Sequence, residues 1–200
     1  MKKRILLKIK LLPHSEYKKL ARILKIRFGL NLDTTRNILQ ALEEECKKID
    51  PQFSYTTEYV FLSPTVVGSY DPETHVIYVS PETYDKAYQG DVFALYTIVH
   101  EISHWALLTV FHVKPEFVIL ELPLAHASTT DAEFYADMLS FYLMMPSSVF
   151  SGKKNIKSLL TKGKKRGIYN MSLIILNNRR YCRAIGFKHP AGFSTAKKTA

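Results

Sequence analysis

Cysteine is scarce in this chain, with only Cys46 and Cys182 among its 200 residues. Neither belongs to a CxxC motif or a Cys/His cluster, and Cys46 falls in a predicted helix while Cys182 falls in a basic tail. This usage argues against a disulfide framework. We therefore expect free thiols, a reducing compartment and a cytoplasmic location.

Long uncharged hydrophobic runs are also missing, since none approaches the ~20 residues that a membrane-spanning helix needs. The first ten residues begin like a signal peptide, but Lys8 and Lys10 interrupt the apolar stretch and no small-residue cleavage site follows. We expect no membrane association. The 46% apolar and 12% aromatic content instead favours a packed core of one domain.

Acidic residues are absent from positions 151–200, where thirteen Lys/Arg give a net charge of +13. Residues 1–27 carry a net charge of +9 and residues 28–150 a net charge of −12, so basic ends flank an acidic middle. We predict a domain at 1–150, which includes N-terminal helices, and a basic C-terminal extension at 151–200. The extension either packs near the acidic middle or contacts nucleic acid or another acidic partner.

The most informative motif is His-Glu-Ile-Ser-His at positions 100–104. Because His100 and His104 are four residues apart, a helix projects both from one face, where they can reach one Zn²⁺ at roughly 2.0–2.1 Å. Glu101 would then lie where it can take a proton from a water on the metal, whose pKa zinc lowers towards ~7. Five residues can match by chance, so the surroundings must support the motif.

The surroundings predict a long, buried helix over 92–111. Asp91 is a good N-cap, the run contains no Pro or Gly, and Pro115 follows its end. Because the run is largely apolar, two histidines and a glutamate within it would be costly unless they had partners. A metal ion would satisfy all three side chains.

A third zinc ligand is expected on a second predicted helix that ends near Met145. Glu133 and Asp137 are four residues apart and therefore share a face. We predict that Glu133 binds the metal and that Asp137 accepts a hydrogen bond from a ligand histidine, which would orient the ring. Asp131 could replace Glu133, although a helix-cap role suits Asp131 better.

Together the segments Thr97–His104, Glu133–Asp137 and Leu143–Pro146 resemble the ImmA/IrrE family of zinc metallopeptidases. That family has HExxH, a later ExxAN and a helix that closes in LLMP. The resemblance extends from about Gly68, through Gly68-x-Tyr70 and a predicted strand at 76–79, to Pro146. Two positions depart from the pattern: Ser103 replaces a glycine, and Asp137 replaces an asparagine, as in the wider gluzincin pattern.

This resemblance implies an α+β, zincin-like fold, with a small, mostly antiparallel sheet packed on an active-site helix and on a second metal-ligand helix. It implies a Zn²⁺-dependent peptidase in which Glu101 is the general base. An edge strand at 75–80 would pair with an extended substrate. The substrate would be a protein or peptide, with a helix-turn-helix, DNA-binding repressor as one candidate.

Two other functions stay open. The chain could be a catalytically silent zinc-binding module, or a SprT-like, DNA-associated protease in which His126 is the third ligand. In both, the basic residues 151–200 would bind nucleic acid or a partner.

The remaining patterns predict helices from Ser15 to Phe28, ended by Gly29, and from Asp33 or Thr34 to Ile49. Strands are predicted at 53–59, 60–62, 66–70 and 75–80, with a turn at 71–74. Residues 153–166 could form a basic helix, and 168–176 a strand or helix. Further interpretations concern five single side chains: His112 at a helix end, His75 as an exposed strand histidine, and Tyr70, Tyr78 and Tyr135 as core residues or oxyanion donors.

Overall fold

The computed structural model describes residues 14–58, 66–113, 131–144 and 161, which form a mixed α+β fold. Its helices are α1 (His14–Arg27), α2 (Thr35–Gln40), α3 (Cys46–Ile49), α4 (Pro81–Tyr88), α5 (Val92–Trp105) and α6 (Asp131–Met144). A π-helical turn (Ala41–Glu45) joins α2 to α3, and a second one (Ala106–Val110) extends α5. The strands are β1 (Ser54–Thr56), β2 (Gly68–Asp71) and β3 (Val76–Val79).

The ends of the N-terminal helices follow local chemistry, and the sequence predictions for them are confirmed. Gly29 adopts φ +70, which is costly for other residues, and lets the N–H of Leu30 bond to the carbonyl of Leu24 at 3.0 Å. Thr34 caps α2, because its hydroxyl accepts from the N–H of Asn37 at 3.2 Å. The predicted apolar side of this helix is buried: Leu39, Leu42 and Cys46.

The sheet has the strand order β1-β3-β2, so β3 lies in the centre. β1 pairs with β3 in parallel, and β2 pairs with β3 as an antiparallel hairpin through the predicted turn. Asp71 closes that turn by accepting hydrogen bonds from the Glu73 N–H at 2.9 Å and the Thr74 hydroxyl at 2.7 Å.

Two predictions about the sheet are wrong. The strand at 75–80 is no edge strand, because Val76 pairs with both Ser54 and Asp71. The sheet is mixed rather than mostly antiparallel, since one of its two strand pairs is parallel. Local alternation of apolar residues identifies a strand, but the order of strands depends on contacts distant in sequence.

Helix α4 was not predicted, although its signal is local. The Ser80 hydroxyl accepts from the N–H of Thr83 at 3.1 Å, and Pro81 occupies the first helical position. Gly90, at φ +85, and the N-cap Asp91 then separate α4 from α5.

Helix α5 is the centre of the fold, packed against β2 and β3 on one side and against α6 on the other. Its side chains Ile98, Val99, Ile102 and Trp105 are fully buried. Its cap is the predicted one, since Asp91 accepts from the N–H of Ala94 at 2.9 Å. Helix α1 packs on α6, so the core is continuous across both helices.

In the ranges that the structure covers, no helix combines the length and the apolar character that crossing a membrane requires. The predicted strand at 60–62, the predicted elements at 153–166 and 168–176, and most of the basic extension lie outside the described residues. The division into 1–150 and 151–200 stays a prediction.

Candidate metal centre

Helix α5 presents His100 and His104 one turn apart, as the spacing predicts. Their rings lie with centroids 4.7 Å apart, and their side chains are 13% and 12% exposed. The two Nε2 atoms are separated by 3.0 Å. Since a neutral imidazole nitrogen without hydrogen is only an acceptor, two such atoms facing each other need a proton or a cation between them.

Helix α6 brings Glu133 to the same point. Its Oε2 lies 3.0 Å from Nε2 of His100, and its Oε1 lies 3.2 Å from Nε2 of His104. Each of the three residues therefore offers one possible ligand atom, and these atoms all lie within 4.8 Å of one another. Tetrahedral ligands at roughly 2.0–2.1 Å from zinc are roughly 3.3 Å from one another, so these separations fit a zinc site with little adjustment. The predicted ligand set is thus brought together.

The electrostatics of this group also favour a bound cation. Burial by itself lowers the pKa of His100, but its contacts with Asp137 and Glu133 outweigh that effect and raise the pKa to about 10. The contacts with His100 and His104 hold the pKa of Glu133 far below its usual range. The group therefore stabilises positive charge, which is either a proton on His100 or a metal ion.

Glu101 is not part of the ligand group, and it lies on another side of α5. Only 6% of the residue is exposed, and burial raises the pKa of its carboxyl group, while charge on His100 and His104 would lower it. The carboxylate lies against β2 at Gly68: a Cβ built there would be 3.1 Å from Glu101 Oε1. A buried carboxylate that lies outside the candidate ligand group would suit a proton acceptor if a metal ion binds there.

Asp137 lies beside His100, with Oδ1 2.9 Å from Nδ1. The distance is that of an ion pair, but the contact is poorly aligned for a hydrogen bond. The same Oδ1 accepts a hydrogen bond of 2.5 Å from the hydroxyl of Tyr96. Sequence reasoning missed Tyr96, although it lies four residues before His100 and so shares its helix face.

Two buried serines lie where α5 meets α6. The Ser103 hydroxyl donates to the carbonyl of Val99 at 2.7 Å and lies 2.8 Å from the Ser140 hydroxyl. Both residues are fully buried, and Ser140 also bonds to the carbonyl of Ala136 at 2.7 Å. Serine side chains are small, so α5 and α6 can approach closely at this contact.

A small hollow beside His104 has room for about one water molecule. Apart from His104 its lining is almost entirely apolar: Leu107, Leu108, Val113, Ala132 and Tyr135.

The other histidines have separate positions. His75 is not an exposed strand residue, because it lies in the turn before β3 at φ +57, with Nδ1 2.7 Å from Oδ2 of Asp50. Asp50 also accepts from the indole N–H of Trp105, so this pair anchors the turn to α5. His112 follows the end of the α5 extension at φ +50, as a helix-end residue does. His126 lies outside the described residues.

The three tyrosines considered as oxyanion donors have different surroundings. The Tyr70 hydroxyl lies 2.6 Å from Thr109 Oγ1. Tyr135 is buried in the core with its ring 6.0 Å from that of Tyr17, and Tyr78 is half-buried in β3. These positions favour packing roles for Tyr70 and Tyr135. Asp131 begins α6, and its side chain lies outside the described residues.

Comparison with known proteins yields no match among family models, curated proteins or solved structures.

Proposed function

We propose that this protein is a zinc-dependent peptidase of the zincin type, related in its site to the ImmA/IrrE pattern. The observation that carries the proposal is the convergence of His100, His104 and Glu133 from two helices onto one point. Glu101, buried beside that point and outside the ligand group, supports catalysis rather than simple metal storage. We also propose a cytoplasmic location, supported by the scarcity of cysteine and by the buried, free thiol of Cys46.

His100, His104 and Glu133 would hold the Zn²⁺, with Asp137 orienting the ring of His100. Bound zinc supplies a Lewis acid that makes a water more acidic and stabilises negative charge on a carbonyl oxygen. Glu101 accepts the proton of the attacking water and delivers it to the leaving amine, so the peptide bond is cleaved without a covalent intermediate on the protein. The raised pKa of Glu101 suits both roles.

We propose β2 as the strand that aligns the substrate, in place of the strand at 75–80. Among the described residues β2 pairs only with β3, so its other side can add an extended peptide. Gly68 in β2 lies directly against Glu101, which would put the peptide backbone next to the proton acceptor.

Metal analysis and one isosteric substitution test the proposal. We expect about one Zn²⁺ per purified chain. Glu101→Gln should keep the zinc and lose at least about 1000-fold in kcat, because the amide cannot accept the proton. Hydrolysis is measured with a library of internally quenched octapeptides randomised at their central positions. Absence of stoichiometric zinc, or a fully active Glu101→Gln variant, would contradict the proposal.

The substrate is proposed to be a protein, with a helix-turn-helix repressor as one candidate, by analogy with the ImmA/IrrE pattern alone. We also propose that the basic residues 151–200 contact nucleic acid or an acidic partner, from their net charge of +13. Such binding should weaken steeply with salt and disappear when 151–200 are deleted. Binding that survives the deletion would remove the extension from the proposal.

A further inference from the structure

We infer that Gly68 is a positioning residue for Glu101, because the space left by its missing side chain seats the Glu101 carboxylate between α5 and β2. The inference rests on the proposed peptidase function, in which Glu101 is the proton acceptor. Gly68 is not a proposed metal ligand, yet its lack of a side chain determines where the Glu101 carboxylate lies.

The backbone conformation of Gly68 does not require glycine. Of the glycines in the described ranges, Gly29 and Gly90 have positive φ and Gly68 does not. Any residue could adopt the conformation of Gly68 as part of β2, where it pairs with Val79. The demand for glycine at this position therefore comes from space alone.

The space is already taken by two side chains of α5. A Cβ at Gly68 would lie 2.8 Å from Cγ2 of Thr97, closer than real Cβ atoms come. It would also lie 3.1 Å from both Cγ and Oε1 of Glu101. Thr97 and Glu101 are four residues apart and share the face of α5 that packs on β2.

Thr97 cannot turn away at little cost. Its hydroxyl donates to the carbonyl of Phe93 at 3.0 Å, which holds the side chain in its present rotamer. Within a helix a threonine side chain has two favoured χ1 rotamers, which depend on the hydroxyl bonding to the preceding turn. A methyl group at Gly68 would therefore push β2 outward or displace the Glu101 carboxylate. Either change would increase the distance between Glu101 and a peptide that pairs with β2.

A substitution at Gly68 should leave the proposed metal ligands in place. His100, His104 and Glu133 meet at the interface of α5 with α6, whereas Gly68 touches α5 through Thr97 and Glu101. A change at Gly68 should accordingly lower kcat without loss of zinc. A residue needed only for folding would instead affect zinc retention and activity together.

The test is a cycle of Gly68→Ala, Thr97→Ser and the double variant, assayed with the quenched octapeptide library. Thr97→Ser removes only the methyl group in closest contact and keeps the hydroxyl. Ser69→Thr is the matched control, since it adds one methyl group to the neighbouring, exposed residue of the same strand. Zinc content and thermal unfolding are measured for every variant.

We expect Gly68→Ala to keep one zinc per chain, to unfold a few degrees lower and to lose at least about tenfold in kcat with a smaller change in KM. Adding Thr97→Ser should recover part of both kcat and the unfolding temperature, and Ser69→Thr should behave like the unsubstituted protein. Full activity in Gly68→Ala, zinc loss parallel to activity loss, or no recovery in the double variant would overturn the inference.

Failure of the proposed function gives a different pattern. The unsubstituted protein would then bind no zinc or cleave none of the peptides. Recovery of the unfolding temperature when Thr97→Ser is added to Gly68→Ala would still show the crowding at Gly68. The positioning role of Gly68 would be refuted together with the peptidase function. An active unsubstituted protein with an equally active Gly68→Ala variant would overturn this inference alone.

Discussion

Nε2 of His100 lies 3.0 Å from Oε2 of Glu133, although the two residues are 33 positions apart in the chain. One belongs to α5 and the other to α6, which are packed together along their lengths. The contact adds an acidic member to a pair of histidines on one helix and completes the candidate ligand group.

Replacing Glu133 should weaken zinc binding more than replacing a residue that only contacts the proposed ligands. We expect Glu133→Ala to raise the zinc Kd by about 100-fold or more, because one of three protein ligands is lost. Competition with a chromophoric chelator measures the change. Glu73→Ala, which removes an exposed carboxylate in the β2–β3 turn, is the control. Equal affinities in the two variants would exclude Glu133 as a ligand.

The Tyr96 hydroxyl should influence zinc binding through Asp137. Tyr96→Phe removes the hydrogen bond to Asp137 Oδ1, which also lies 2.9 Å from His100. We expect zinc affinity to fall several-fold, and Asp137→Asn to lower it by about 10- to 100-fold. Tyr88→Phe is the matched control because Tyr88 is 73% exposed. If Tyr96→Phe and Tyr88→Phe give the same affinity, the hydroxyl does not support the site.

The serine contact should limit how closely α5 and α6 pack. Ser140→Val adds bulk at a fully buried position and should lower the free energy of unfolding by about 1–3 kcal/mol. Ser140→Ala removes only the hydroxyl and should cost about 1 kcal/mol. Urea unfolding measures both changes, and zinc affinity should fall in Ser140→Val but not in Ser140→Ala. Unchanged zinc affinity in Ser140→Val would show that helix separation does not control Glu133.

Zinc binding should release a proton near neutral pH. His100 in the metal-free protein has a pKa raised to about 10, so it is protonated at pH 7 and must lose that proton to bind zinc. Glu133, with its lowered pKa, is already ionised and releases none. We expect each zinc ion to release about one proton on binding. The Kd for zinc should therefore rise about tenfold for each unit by which the pH falls below 10. Calorimetry in buffers of different ionisation enthalpy measures this number, and a buffer-independent enthalpy would refute it.

Features that depend on neighbouring residues could be predicted from the sequence. The caps at Thr34 and Asp91, the end of α1 at Gly29 and the turn closed by Asp71 all rest on contacts within six residues. The shared face of His100 and His104 follows from helical periodicity in the same way. The spacing from Asp137 and the family resemblance point to Glu133, and the fold brings it to the histidines.

Other parts of the site depend on contacts that periodicity does not specify. The sequence determined which side chains share a helix face and where helices begin and end, because backbone geometry and capping are local. Only the tertiary structure decided that β3 is central, that Tyr96 reaches Asp137 and that Gly68 seats Glu101. Each of these joins elements distant along the chain, and their relative placement is decided by how the whole core packs around α5.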